Sequence, residues 1–283
     1  MAITVGCFAL VDPFSTLDHQ LDRIRDWGFT TADVTDTSDG AVLGNHFGFS
    51  AVASLDANPH DLRRLFADRG LRITSFCAHA DLLDASAPWR YGTGQVVKAV
   101  RAAAAIGVPH VVTTEGEPVT AFGRGLTHAE QVFTVVEKLH EPLRLAEDLG
   151  VKVLLEPHGP LTGSPDGLEE VIARASSPAL GVNLDTGNSW LAGADPVEYV
   201  RRFGPLIEHV HWKDLDAGWE ERRGQVFGCG MSTTTLGEGV VDVRGIWDAL
   251  VRAGFDGATT LEVAGDDAVL GSAAFLEKLG AVK

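Results

Sequence analysis

The sequence predicts a single (β/α)₈ barrel, and three observations carry that expectation. Short runs rich in β-branched residues alternate with longer amphipathic stretches, eight times over. Repetition of strand then helix is the pattern of a closed parallel sheet. The chain has 283 residues with no low-complexity tract, long linker or composition break, so one unit over 1–283 accommodates it. The rival architecture, an open doubly wound sheet, usually carries a Gly-rich phosphate loop after its first strand. Here Leu10 is followed by Val-Asp-Pro-Phe-Ser, with no GxGxxG.

The elements follow in order. Ile3–Leu10 reads as the first strand. Thr16–Trp27, with Leu17, Leu21 and Ile24 at helical spacing, is its helix, ended by Gly28. Thr31–Thr35 is the second strand and His60–Arg69 its helix, closed by Gly70. Leu71–Ala78 is the third strand, and Tyr91–Ile106 the helix before Gly107. His110–Thr114 is the fourth strand. Thr127–Leu149 is a long helix closed by Gly150, with Pro142 a candidate kink. Val151–Glu156 and Pro165–Ala175 form the fifth pair, and Leu180–Asp185 and Pro196–Phe203 the sixth. Ile207–Trp212 is the seventh strand, with the helix Val243–Ala253 before Gly254. Thr259–Val263 and Asp267–Leu279 complete the eighth pair.

Composition excludes several functions. Hydrophobic residues make up 45% of the chain, enough for a large core, yet no apolar run reaches the roughly 20 residues of a membrane span. The opening Met1-Ala-Ile-Thr-Val-Gly has no basic region before an apolar one and reads as strand, so a cytoplasmic protein is expected. Cys7, Cys77 and Cys229 are dispersed and odd in number, which fits neither a disulfide framework nor a thiolate metal cage. The formal charge of −16 repels a phosphate backbone, so neither nucleic acid nor membrane is an expected partner.

A barrel of this kind works at the C-terminal ends of its strands. Strand five reads Val-Lys-Val-Leu-Leu-Glu156-Pro-His158, strand six Leu-Gly-Val-Asn-Leu-Asp185-Thr-Gly-Asn188, strand seven Ile-Glu-His209-Val-His211-Trp-Lys213-Asp214, and strand eight Thr-Thr-Leu-Glu262-Val. Each carboxylate or imidazole ends or interrupts an apolar run. Taken singly, each has a bland reading as a solvated loop acid, a core histidine or, for Asp185, a helix cap. Together they are different: burying unpaired carboxylates costs several kcal/mol each, and three on successive strand ends repel one another. A divalent cation between them removes both costs. His209 and His211 share a strand face, so one can bind metal while the other lines or supports the site.

At these motifs the chain resembles the xylose-isomerase-like barrel superfamily of sugar isomerases and epimerases. That group includes ketose 3-epimerases, inosose dehydratases and isomerases, keto-glycoside lyases and endonuclease IV. The resemblance implies one divalent metal ion on Glu156, Asp185, His211 and Glu262. Three carboxylates and one imidazole lean to Mn²⁺ or Mg²⁺, while Co²⁺ or Zn²⁺ also fit. It implies a small-molecule sugar, keto-sugar or cyclitol as substrate, and leaves room for a homo-oligomer or a partner subunit. The implied activity is that of an isomerase or epimerase that takes a proton beside the carbonyl through a metal-stabilised enolate, with Glu156 and Glu262 on either side of the carbon. The alternative is a lyase or dehydratase performing β-elimination on a 3-keto-glycoside or inosose, with His158 as the base. Asn188 stands where ketose 3-epimerases carry a histidine. The Trp-Lys213-Asp214 pattern is more similar to the inosose and keto-glycoside branches, and His158 to the lyase branch. A remoter alternative, an endonuclease IV-like nuclease, needs more histidine ligands and a basic face.

Around the quartet, His79 at the end of strand three is a candidate for facing the substrate. Lys213 is a candidate for binding a substrate oxygen or for pairing with Asp214. Trp190 and Trp212 are candidate walls for a sugar face, and Arg222 and Arg223 read first as a solvated cluster. The Gly-rich run Gly228-Cys-Gly-Met-Ser-Thr-Thr-Thr-Leu-Gly-Glu-Gly, within residues 218–240, suits a lid over the barrel mouth.

Overall fold

In the computed structural model, which describes residues 3–12, 15–35, 57–83, 91–118 and 120–283, eight parallel strands close into a barrel with each strand beside the next and β8 beside β1. The strands are β1 (Thr4–Phe8), β2 (Thr31–Thr35), β3 (Arg72–Cys77), β4 (His110–Thr114), β5 (Lys152–Glu156), β6 (Leu180–Asp185), β7 (Ile207–Trp212) and β8 (Ala258–Leu261). Helices follow them outside: α1 (Leu17–Asp26), α2 (Pro59–Ala67), α3 (Tyr91–Ile106), α4 (Ala121–Arg124), α5 (His128–Leu149), α6 (Pro165–Ala175), α7 (Thr186–Leu191), α8 (Pro196–Phe203), α9 (Val243–Ala253) and α10 (Asp266–Leu279). Among the described residues, no helix is long and apolar enough to cross a membrane.

The expected elements are all present, with end shifts that local chemistry explains. Thr16 and Thr127 are caps, not first turns: Thr16 Oγ1 accepts the His19 N–H, and Thr127 forms a reciprocal capping box with Glu130. Gly150 and Gly254 end α5 and α9 in the left-handed region, at φ 68° and 78°, where a side chain is disfavoured. Helix α5 runs through Pro142. Two short helices, α4 and α7, were not expected from the sequence. Every residue of α7 is buried, so it carries no amphipathic period to read.

Alternation along each strand sends one set of side chains outward to the helices and the other inward. Trp212, expected as a candidate sugar wall, points outward instead: it is fully buried against Trp247 of α9, ring centroids 6.2 Å apart. Its neighbour His211 points inward. Phe8, Leu10, Cys77, Val112 and Leu154 form a small apolar cluster distinct from the main core, with Met231 packed onto it. That cluster and the inward polar residues together fill the space inside the sheet.

Candidate active site

Glu156 and Asp185 are the last residues of β5 and β6, and Glu262 stands one past the end of β8. The Glu262 N–H continues the ladder by donating to the Trp212 carbonyl at 3.1 Å. His211 is paired in register with Asp185. All four are buried. Ligand atoms of Glu156, Asp185 and His211 lie within 4.8 Å of one another. His211 Nδ1 lies 3.1 Å from Glu156 Oε2 and 3.1 Å from Glu262 Oε2. It makes no hydrogen bond to either, and Glu262 Oε2 is likewise without a partner. An imidazole nitrogen and two carboxylate oxygens that converge in this way, beside Asp185, form a donor set that could hold a divalent cation.

Charge points the same way. Asp33, Glu156, Asp185 and Glu262 are buried carboxylates, and one buried ammonium, Lys213, lies among them. Lys213 Nζ is 2.9 Å from Asp185 Oδ2 and 2.9 Å from Glu262 Oε1. The expected Lys213–Asp214 pairing is therefore corrected. Alternation carried past the end of β7 turns adjacent side chains to opposite sides. Asp214 instead accepts the N–H groups of Leu215, Gly237, Gly239 and Val241 at 2.8–3.0 Å. It thereby fastens the Gly-rich segment to the end of β7. A divalent cation fits the remaining negative charge of the donor set.

Each site group feels its burial. Burial opposes the charge on Glu156, but His211 and His79 hold its pKa well below the usual carboxylate range. Burial pushes Asp185 up to about 7, against the pull of Lys213. Burial also opposes the Lys213 charge, yet Asp185 and Glu262 keep it firmly protonated. Asp185 is a helix cap whose other oxygen is turned into the site. Its Oδ1 caps α7 through the Asn188 N–H at 2.7 Å, and its Oδ2 faces Lys213.

The neighbours expected at the site gather round it unequally. Asn188 Nδ2 donates to Glu156 Oε1 at 3.1 Å and to Asp185 Oδ2 at 3.0 Å. His79 Nε2 is 3.8 Å from Glu156 Oε2. His158 is buried in the same group of charges, and burial pushes its pKa down to about 4 against the pull of Glu156. Its Nδ1 has no hydrogen-bond partner. Trp190 is buried, with the Arg223 guanidinium 4.7 Å over its ring. Arg222 lies 4.7 Å over Trp219. The segment 218–240 begins with a 3₁₀ turn, Ala217–Arg222. It then crosses the mouth: Gly228 abuts His158 so closely that a Cβ there would come within 1.9 Å of Nε2. Cys229 Sγ sits 3.8 Å from Asn188 Oδ1.

Three residues not anticipated from sequence also serve the site. Asn183 Nδ2 donates to Glu156 Oε2 at 2.8 Å. Asp33 of β2 receives His209 Nε2 at 2.7 Å and His211 Nε2 at 3.1 Å on Oδ2. Glu115, just past β4, accepts the N–H groups of Leu161 and Thr162 at 2.6 and 2.7 Å. It thus pins the loop that carries His158. Burial raises the Glu115 pKa to about 7, more than those two hydrogen bonds lower it. A folded-state pKa above the ordinary 4.5 means stability is highest below 4.5 and falls as pH rises through 7. In the Glu115→Gln variant that dependence disappears. The difference in unfolding free energy between parent and variant, followed by urea titration, is expected to move in the variant's favour by about 3 kcal/mol between pH 4.5 and 8.

With this geometry in hand, the comparisons decide the family. The chain matches the xylose isomerase-like TIM barrel family over residues 21–279. It belongs to that family. Inosose dehydratase from Lacticaseibacillus casei is 26% identical over 146 residues, 49% of this chain and 48% of the relative. The chain thus spans about half the length of the curated relatives it matches. Among solved structures, a D-tagatose 3-epimerase-like protein superposes with a TM-score of 0.74 at 22% identity, covering 98% of this chain and 97% of that one. IOLI protein with a bound zinc atom gives a TM-score of 0.75 at 16% identity, with 98% of each chain covered. Those two likenesses speak for the barrel fold.

Proposed function

We propose that this chain is a divalent-metal-dependent lyase of keto-cyclitols or keto-sugars. It removes the proton beside the carbonyl and expels the oxygen substituent on the next carbon. The observation that carries this reading is the unequal setting of the two glutamates. Both oxygens of Glu156 already accept side-chain amide N–H groups, from Asn183 and Asn188. Hydrogen bonds to a carboxylate stabilise its anion and weaken it as a base. Glu156 is therefore poorly suited to trade protons with Glu262 across a substrate carbon. His158 is the more available group, because burial keeps its ring neutral near pH 7 and its Nδ1 has no hydrogen-bond partner.

The roles follow from that setting. His158 takes the proton from the carbon beside the carbonyl. Lys213 stays protonated between Asp185 and Glu262, and donates to the departing oxygen as its bond to carbon breaks. That oxygen leaves as water or an alcohol. Glu156, Asp185, His211 and Glu262 would hold the metal, and a bound divalent cation supplies positive charge that stabilises negative charge developing on the substrate's oxygens. The segment at Gly228 and Cys229 keeps water from His158 while the proton is held. The sequence likeness to an inosose dehydratase supports a cyclitol ketone as substrate.

A second reading, an isomerase or epimerase, has one observation in its favour. Glu156 and Glu262 both reach the same point, 3.1 Å from His211 Nδ1. Product analysis separates the two readings. The Mn²⁺-loaded protein is incubated with an inosose, a 3-keto-glycoside and free ketoses. The lyase releases water or an aglycone and leaves a conjugated product absorbing in the ultraviolet. An isomerised ketone of unchanged mass, with no elimination product from any of them, overturns the lyase reading.

A further inference from the structure

Beneath the quartet lies a second cluster, Asp33, His209 and His211, which shares His211 with it. Asp33 is fully buried on β2, across the barrel interior from β7. Its Oδ1 accepts a short hydrogen bond from Thr74 Oγ1. Its Oδ2 receives both imidazoles, His209 Nε2 at 2.7 Å and His211 Nε2 at 3.1 Å. Thr260 Oγ1 lies 3.2 Å from the same nitrogen, His209 Nε2. A carboxylate can only accept, so the contact with His211 calls for a proton on Nε2. That contact turns the other ring nitrogen, Nδ1, toward the quartet. Nδ1 is the atom that faces Glu156 and Glu262 at 3.1 Å and has no hydrogen-bond partner.

We infer that Asp33 is a positioning residue that fixes the His211 tautomer and ring orientation, so that Nδ1 is presented to the metal quartet. Thr74 and His209 hold Asp33 itself in place. This rests on the metal reading above. A carboxylate kept in the barrel core solely for packing would be replaceable by its amide without consequence at the quartet, because burying a charge among apolar neighbours costs more than burying an amide. The geometry instead gives the charge a task. An amide at position 33 can turn its NH₂ toward His211 Nε2, which drives the proton to Nδ1 and blocks the metal-facing lone pair.

The test is Mn²⁺ binding by calorimetry and electron paramagnetic resonance, with imidazole tautomers read from ¹H–¹⁵N spectra of the metal-free protein. The parent is expected to bind Mn²⁺ and to show His211 protonated on Nε2. Asp33→Asn is expected to raise the Mn²⁺ Kd by roughly 10–100-fold, the range found for partners of metal-bound histidines, and to shift the His211 tautomer. Thr74→Val, which removes the Oδ1 hydrogen bond at nearly constant volume, is expected to weaken Mn²⁺ binding in the same direction and less. If Asp33→Asn does not fold, the Thr74→Val result decides. A folded Asp33→Asn with parental Kd and tautomer, beside an Asp185→Asn variant that loses Mn²⁺, overturns the inference and leaves the metal reading standing. A parent chain that binds no Mn²⁺, Co²⁺ or Zn²⁺ overturns both.

Discussion

Replacing His158 with alanine is expected to lower turnover by roughly 10²–10⁴-fold, the contribution of a positioned general base, while Mn²⁺ affinity stays within a few-fold of the parent. The separation follows from where His158 sits. It follows β5 by two residues and does not share in the convergence of Glu156, Asp185 and His211. Its backbone N–H is fixed by Thr162 Oγ1 at 3.0 Å, and the loop around it is pinned by Glu115. Deleting the ring therefore removes a base and leaves its frame. His158→Asn keeps some of the volume under Gly228 and no basic nitrogen, so it should be as inactive as alanine. Activity close to the parent in both variants would remove His158 from the reaction and return the base role to a glutamate.

The second large effect is expected at Glu262. Glu262→Gln removes a charge from the quartet and from the Lys213 pair at once. Mn²⁺ affinity should fall by more than the roughly 100-fold upper range for outer partners of a metal site, and turnover should fall with it. Chelation of the parent with EDTA should abolish turnover, and added Mn²⁺ should restore it. A Glu262→Gln protein that retains metal and loses turnover would instead assign Glu262 to proton transfer, which favours the isomerase reading.

Much of this site was legible because burial and charge conflict at readable places. Glu156, Asp185, His211 and Glu262 each close or interrupt an apolar run at a strand end, and the barrel rule says where those ends meet. The same conflict exists in Thr31-Ala-Asp33-Val-Thr35, where an acid sits inside a β-branched run. It carries no site signal there, because Asp33 lies mid-strand, below the strand ends where barrel chemistry occurs. Lys213 was assigned two candidate partners because sequence neighbours suggest pairing. Only extension of the strand's alternation past Trp212 separates it from Asp214. Glu115 and Gly228 were out of reach for a different reason. Their importance lies in contacts with Leu161, Thr162 and His158 that exist only once the loops close over the barrel mouth. Helix α7 escaped because a fully buried helix has no polar face to set its period.

On the proposed reading, a metal held by the quartet enables removal of a proton beside a ketone. This is tested most directly by following the α-hydrogen of a keto-cyclitol by NMR in D₂O, with the Mn²⁺-loaded protein and after chelation. The loaded protein should exchange or eliminate at the carbon beside the carbonyl, the chelated protein should do neither, and His158→Ala should be slowed by roughly 10²–10⁴-fold. Loss of the α-hydrogen at equal rates with and without the metal, or no loss from any ketone tested, would contradict the account.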